Sequence, residues 1–409
     1  MKNEVIVRIL QVESYGTIIN APAARLRLVT EREEVSVEKA LVTGGAGFIG
    51  SHLVDALVQR GIRVTVLDSL DQQVHGSDRE PPSYLNPRAQ LIVGNVRDRE
   101  LLRSALDGVQ TVFHLAAAVG VGQSMYEIEK YVSSNTLGTA VLLDLLANHS
   151  HTIRKLVVAS SMSIYGEGSY RCPNCGSVEP SPRTEARMRE HLWDPICPGC
   201  QETLEPLPTP ETKALQSTSI YAITKKDQEE MALCIGKAYG IPTVALRFFN
   251  VYGPRQALSN PYTGAAAIFS SRAMNGKPPI VFEDGHQTRD FVHVSDVVQA
   301  NLIALDSEAA NYRVFNVGTG RALAILDMAS IICERVGPPG LRPEVTQQFR
   351  KGDIRHCYAD ISNISALGYR PKVRFEDGIQ ELVEWVRGQT AIDRVDQAAE
   401  ELKKRHLIA

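Results

Sequence analysis

Between Lys39 and Gly61 the chain reads KALVTGGAGFIGSHLVDALVQRG, and this stretch restricts the fold more than any other. Lys39 to Thr43 is a short apolar run that predicts a strand. Gly44, Gly47 and Gly50 follow in GxxGxxG spacing, and Phe48, Ile49, Leu53, Leu57 and Val58 recur at helical intervals. A strand, a glycine turn and a helix together make a phosphate cradle, because glycine lets the backbone approach a pyrophosphate and the helix N-terminus offers free N–H groups. Glycine turns also join strands to helices for packing alone, so context decides. A second apolar strand, Arg63 to Leu67, ends in Asp68. That acid lies roughly 20 residues beyond the turn, where a carboxylate accepts hydrogen bonds from an adenosine ribose. No Gly-Lys-Ser/Thr closes the turn, which excludes an NTPase P-loop.

From Val37 onward, strands and helices alternate regularly, the pattern of an α/β protein with a doubly wound parallel sheet. Predicted strands cover Gln90 to Val93, Thr111 to Ala118, Lys155 to Ala159 and Thr243 to Phe248. Predicted helices cover Arg99 to Leu106, Tyr126 to Asn148 and Ser219 to Tyr239. Past Asn250 the pattern becomes irregular and richer in Pro and Gly, as a smaller second domain would be. The expected division is an unassigned extension at 1–37, a dinucleotide-binding domain at 38–250 and a C-terminal substrate domain at 251–409. The extension reads either as a small extra hairpin or as an over-extended start.

A chain of 409 residues has room for two sizeable cores. Its formal net charge of -3 gives no electrostatic reason to expect nucleic acid or an anionic membrane as partner. No apolar run reaches the roughly 18 residues of a membrane span, and no long apolar h-region opens the chain. The expectation is a soluble cytoplasmic protein, whose seven cysteines sit in a reducing compartment where cysteine pairs read as metal ligands before disulfides.

Tyr221 and Lys225 are spaced i, i+4 and so share one helix face. A phenol titrates near pH ~10 and is a poor base at neutrality. A neighbouring ammonium and a cationic nicotinamide would both favour the phenolate. Ser161 ends a parallel strand, where ligands of open α/β sheets sit, and could hold the same substrate oxygen. Alone, the Tyr-Lys pair reads as a surface pair on an amphipathic helix, since both residues are common on helix surfaces. Behind a dinucleotide cradle it reads as catalytic.

The motifs TGGAGFIGSH, HLAA, SSMSIYG, YAITK, RFFNVYGP and RDFVHVSD, together with Asp68, resemble the extended short-chain dehydrogenase/reductase family of nucleotide-sugar epimerases and dehydratases. The resemblance runs from Lys39 to about Tyr369, apart from a cysteine insert. It implies a Rossmann-type domain holding NAD, a C-terminal domain closing over a nucleoside-diphosphate sugar, and catalysis by Ser161, Tyr221 and Lys225. It also implies cofactor contacts from Gly44, Gly47, Phe48, Ile49, Gly50, Asp68, Asn95, Val96, Leu115, Ala116, Ala117, Tyr221 and Lys225. Asn95 stands where the family usually has an acid. Substrate contacts are implied for Ser161, Ser163, Asn250, Arg289 and Arg350, the guanidinium groups suiting diphosphate oxygens. A homodimer is expected.

Related 4,6-dehydratases carry an Asp-Glu pair after the catalytic hydroxyl; decarboxylases place Glu, and 3,5-epimerases Cys, at the second position. Here those positions are Met162 and Ser163. With no extra acid, the resemblance leaves 4-epimerisation: Tyr221 takes the 4-hydroxyl proton, the C4 hydride passes to NAD, and hydride returns to the other face of the turned 4-keto sugar. The nearest subgroup epimerises dTDP-L-rhamnose to dTDP-6-deoxy-L-talose, so a dTDP-6-deoxyhexose is the expected substrate. UDP-hexose 4-epimerase, 4,6-dehydratase and UDP-glucuronate decarboxylase are the alternatives. A non-catalytic dinucleotide sensor would be expected to have lost Tyr221 or Lys225.

Residues 171–206 interrupt the alternation with two knuckles, Cys172-Pro-Asn-Cys175 and Cys197-Pro-Gly-Cys200. Four thiolates predict a structural zinc in a zinc-ribbon-like insert, before a pair of disulfides or a redox dithiol. The insert holds four Arg against six Asp and Glu, so the basic footprint of a nucleic-acid-binding ribbon is missing. Cys234, Cys333 and Cys357 read as packing residues.

Overall fold

A computed structural model describes residues 39–76, 79–257, 260, 264–387 and 395–408. The extension 1–37 lies outside these residues. Strand β1 (Lys39–Thr43) pairs in parallel with β2 (Arg63–Asp68), which pairs with β3 (Gln90–Val93). On its other side β1 meets β4 (Thr111–His114), followed by β5 (Lys155–Ser161), Thr243–Phe248 and finally Arg313–Val317. The seven strands form one parallel sheet.

The strands are apolar on both faces because both faces are covered. Side chains alternate sides along a strand. Ala40 and Val42 enter one core with Leu53 and Leu57 of helix α1 (Phe48–Gln59) and Val297 of the Val294–Asp306 helix. Leu41 enters the opposite core with Leu102, Leu142, Leu146 and Ala232, carried on three further helices. Burying a side chain such as Leu53 completely contributes about 2 kcal/mol. A third core, around Phe269, Met328, Phe375 and Leu382, lies among the elements that follow the sheet's sixth strand.

The sequence did not show every boundary. Strand β4 stops at His114, and Leu115 to Gly120 run irregularly, because Asn135 takes the backbone N–H and C=O of Ala118 that a ladder would otherwise use. The predicted Tyr126 to Asn148 helix starts at Ile128, and Val132–Leu137 is π-helical within it. Position 250 does not cleanly separate two domains. The Val294–Asp306 helix packs on α1 and Arg313–Val317 completes the sheet, so the later chain returns to the first core.

Candidate active site

The sheet order reverses between β1 and β4, so their C-terminal ends open a crevice where ligands of such sheets bind. A cavity of 930 Å³ lies there. Gly44 has φ +71°, and a Cβ on it would lie 2.8 Å from the Ala116 nitrogen. A Cβ on Gly50 would lie 2.2 Å from the Gly44 carbonyl oxygen, so only glycine lets α1 come this close to β1. Gly47 lines the cavity and caps α1; no side chain caps that helix and no acid stands in its first turn. The helix terminus is therefore free to take an anion, with Phe48, Ile49 and Gly50 around it. Asp68 is buried at the end of β2 and accepts hydrogen bonds from Ala46 N–H at 3.0 Å and Leu70 N–H at 3.0 Å. This ties the glycine turn to the second strand.

Asn95, Val96, Leu115, Ala116 and Ala117 also line the cavity. The Asn95 amide oxygen accepts from Arg97 N–H and Arg97 Nε, both at 3.0 Å, so its acceptor face is already engaged. The cradle, the carboxylate and the apolar floor together fit a dinucleotide.

Ser161, Ser163, Tyr221, Lys225 and Asn250 come together on the same cavity. Ser219 caps the Ile220–Tyr239 helix by accepting from Ala222 N–H, and Tyr221 N–H donates to Ser124 Oγ at 3.0 Å. Ser161 Oγ accepts from Ser163 N–H at 3.2 Å and from Ser163 Oγ at 2.9 Å. Its own proton is then free to donate to the Tyr221 hydroxyl. Burial pushes the Tyr221 phenol up from its ordinary value, and the Ser161 hydrogen bond opposes this. Burial pushes Lys225 down to about 7, with Glu229 opposing. The Lys225 ammonium donates to Gln228 Oε1 at 2.8 Å. The protein alone therefore does not favour the Tyr221 phenolate as the i, i+4 pairing suggested.

Asn250 Oδ1 and Gln256 Oε1 are buried, line the cavity, and have no hydrogen-bond partner among the described residues, which suits donors on a ligand. Arg289 and Arg350 are not brought to the cavity wall. Arg289 donates to the carbonyls of Thr288, Ile354 and Arg355. Arg350 pairs with Asp353 at 2.9 Å and lies over the Phe282 ring.

The insert folds as a three-stranded antiparallel sheet of Ser169–Cys172, Gly176–Val178 and Glu205–Leu207. The Sγ atoms of Cys172, Cys175, Cys197 and Cys200 lie within 4.8 Å of one another, and none is disulfide-bonded. Cys172 Sγ accepts from the N–H groups of Asn174 and Cys175, and Cys197 Sγ from those of Gly199 and Cys200. Four thiols with backbone donors behind them could hold a tetrahedral metal. Cys333 and Cys357 are buried as expected, but Cys234 is exposed on its helix.

A parallel sheet with a dinucleotide cradle and a Ser-Tyr-Lys cluster defines a nucleotide-cofactor enzyme of the Rossmann class. The model of the NAD dependent epimerase/dehydratase family matches residues 40–187 and 198–318. The chain belongs to this family and is an enzyme of it. It is 37% identical over 359 residues to a dTDP-L-rhamnose 4-epimerase of Burkholderia thailandensis, covering 86% of this chain and 96% of that protein. It is similar to the crystal structure of a UDP-glucose 4-epimerase of Thermotoga maritima with UDP-glucose, at TM-score 0.68 and 31% identity over 86% of this chain and 99% of that one. It is also similar to the Thermus thermophilus UDP-glucose 4-epimerase in complex with NAD, at TM-score 0.66 and 30% identity over 86% and 100% of the two chains.

Proposed function

We propose that the protein is an NAD-dependent nucleotide-sugar 4-epimerase acting on a dTDP-6-deoxyhexose, interconverting dTDP-L-rhamnose and dTDP-6-deoxy-L-talose. The observation that carries the reading is the Ser161–Tyr221 pair with Met162 and Ser163 beside it. Ser163 hydrogen-bonds Ser161, and the two positions after Ser161 hold Met162 and Ser163, neither of them a carboxylate that could drive elimination or decarboxylation. Similarity to the Burkholderia thailandensis enzyme supports the sugar. So do Val119, Val121 and Met162, an apolar part of the cavity wall that suits a 6-methyl group.

Bound NAD supplies a hydride acceptor and donor and a positive charge beside the phenol. With substrate bound, the single Ser161 proton turns from Tyr221 to the oxygen at C4 and orients it, and the Tyr221 oxygen takes up the C4 hydroxyl proton. Asn250 takes up donors on the substrate. Arg289 and Arg350 lie outside the cavity wall, so they meet the diphosphate only after moving toward it.

Cys172, Cys175, Cys197 and Cys200 hold one structural zinc, whose four thiolates leave no open coordination position for chemistry. A homodimer is supported by exposed apolar side chains at Ile128, Val132 and Leu137, on a helix packed against the one carrying exposed Ile223. A cytoplasmic site fits cysteines that are all unpaired. Incubation with dTDP-, UDP- and GDP-sugars, followed by NMR of the products, tests the reading. C4 epimerisation of dTDP-L-rhamnose without added reductant is expected. An accumulating 4-keto-6-deoxy sugar would point to the dehydratase reaction.

A further inference from the structure

Gln228 is fully buried one turn beyond Lys225 on the same helix, and it touches neither the cradle nor Tyr221. Its surroundings fix which end of its amide faces the lysine. Thr139 Oγ1 donates to the Asn135 carbonyl at 2.7 Å, so it can only accept from its other neighbours. Gln228 Nε2 donates to it at 2.7 Å, and His114 Nε2 lies 2.9 Å away. Thr43 Oγ1, which accepts from Ala116 N–H at 3.3 Å, lies 2.8 Å from His114 Nδ1 and donates to it. Burial keeps this imidazole neutral, pushing it down to about 3, with Lys225 adding to the effect. Its proton therefore sits on Nε2. A flipped Gln228 would set oxygen against oxygen at Thr139 and nitrogen against the ammonium at Lys225. In the observed orientation Gln228 Nε2 and His114 Nε2, 3.4 Å apart, are two donors that both reach Thr139 Oγ1, and the Gln228 oxygen is left for Lys225.

The other titratable groups around Lys225 are accounted for. Glu229 is bound at 2.9 Å by Arg247 Nε from the sixth strand. His114 from β4 is neutral, and Tyr165, from the turn after β5, is engaged with Arg247 and Asn316. Tyr131, from the neighbouring helix, meets Tyr221 edge to face and donates to Gln123. Gln228 Oε1 is the acceptor of the Lys225 ammonium among the described residues.

We propose that Gln228 is a positioning residue, whose carbonyl holds the Lys225 ammonium charged and in place beside Tyr221. The inference rests on the catalytic reading of Lys225. Activity that needs a charged lysine is lost as pH rises through that lysine's pKa. Gln228→Met removes the acceptor and should move the alkaline limb of kcat down by roughly one pH unit, the scale of one hydrogen bond to a charged group. Gln228→Glu keeps an oxygen toward Lys225 and adds charge, so it should move the limb up; its second oxygen takes the place of the amide nitrogen, and Thr139 Oγ1 has to turn its proton from the Asn135 carbonyl to meet it. NMR of 15Nζ-lysine-labelled protein, with the Lys225 signal identified by Lys225→Arg, reads the same shifts without turnover. This separates failure of the inference from failure of the proposed reaction. Gln228→Glu, equal in size to the native residue, serves if the methionine variant does not fold. A Lys225 titration and an alkaline limb unmoved in both variants, with only Tm changed, would overturn the proposal.

Discussion

In β1, Ala40, Leu41 and Val42 are all fully buried, and apolar layers on both sides hold the strand in register. The insert between Ser169 and Leu207 is built differently. Its apolar residues form small groups: Tyr170, Cys172, Cys197 and Leu204 in one, and Met188 and Trp193 with Phe349 in another. Between them runs a buried charge network. Arg183 pairs with Glu283 at 2.8 Å and hydrogen-bonds the carbonyls of Trp193 and Asp353, while Arg355 pairs with Asp194 at 2.8 Å and with Glu283 and Asp284. Glu167 accepts from the backbone of Arg355 and from Tyr170. The sheet is held by apolar area, which is tolerant and non-directional. The insert is held by directional ion pairs and four clustered thiols, each costly to break. Chemistry placed on the sheet should therefore survive damage to the insert.

The largest contrast comes from the reacting group itself. Tyr221→Phe should lower turnover about 10²- to 10⁴-fold, the range of one general acid–base group, with NAD affinity and Tm nearly unchanged. Near-normal epimerisation by this variant would break the assignment. Next is Arg355→Met, which strands buried carboxylates and should cost about 3–5 kcal/mol in denaturant unfolding. A loss below about 1 kcal/mol would show that the network holds little.

Cys175→Ser, or chelation of the proposed zinc, should expose residues 171–206 to protease while NAD stays bound, since metal binding would be folding energy for such a segment. Elemental analysis should find close to one zinc per chain. The smallest effect is acid sensitivity. The His356 ring, 3.8 Å away, and then the charge of Arg355 hold Asp194 below the ordinary carboxylate range. Its contribution is thus complete above its unfolded value of 3.8 and is lost as pH falls below it. Hydrogen exchange should show the insert opening in acid before the sheet does; simultaneous opening would erase the distinction.

This contrast also explains what the sequence revealed. Apolar runs predicted the strands at Gln90–Val93 and Thr243–Phe248 to the residue; Thr243–Phe248 is buried throughout, while Gln90–Val93 is a half-exposed edge strand whose apolar run alone marked it. That Tyr221, Lys225 and Ser161 meet on one cavity was legible because each falls at a fixed place in a strand or helix. The hydrogen bond from Lys225 to Gln228 was not foreseen, although the i, i+3 spacing was the available signal. Asn135 was hidden within a helix whose π-helical turn no apolar period reports. The insert's sheet rests on backbone pairing and on ion pairs to residues such as Glu283 and Arg355, distant in sequence, so only its cysteines could be read locally.

The central claim is that one carbon of the sugar gives up its hydrogen and regains it, using the sheet-borne site. dTDP-L-rhamnose carrying deuterium at C4, incubated with the enzyme in ordinary water and followed by NMR, tests this directly. The account predicts a C4-epimerised product that keeps the deuterium at C4. Deuterium lost to solvent, or found at C6, would contradict it.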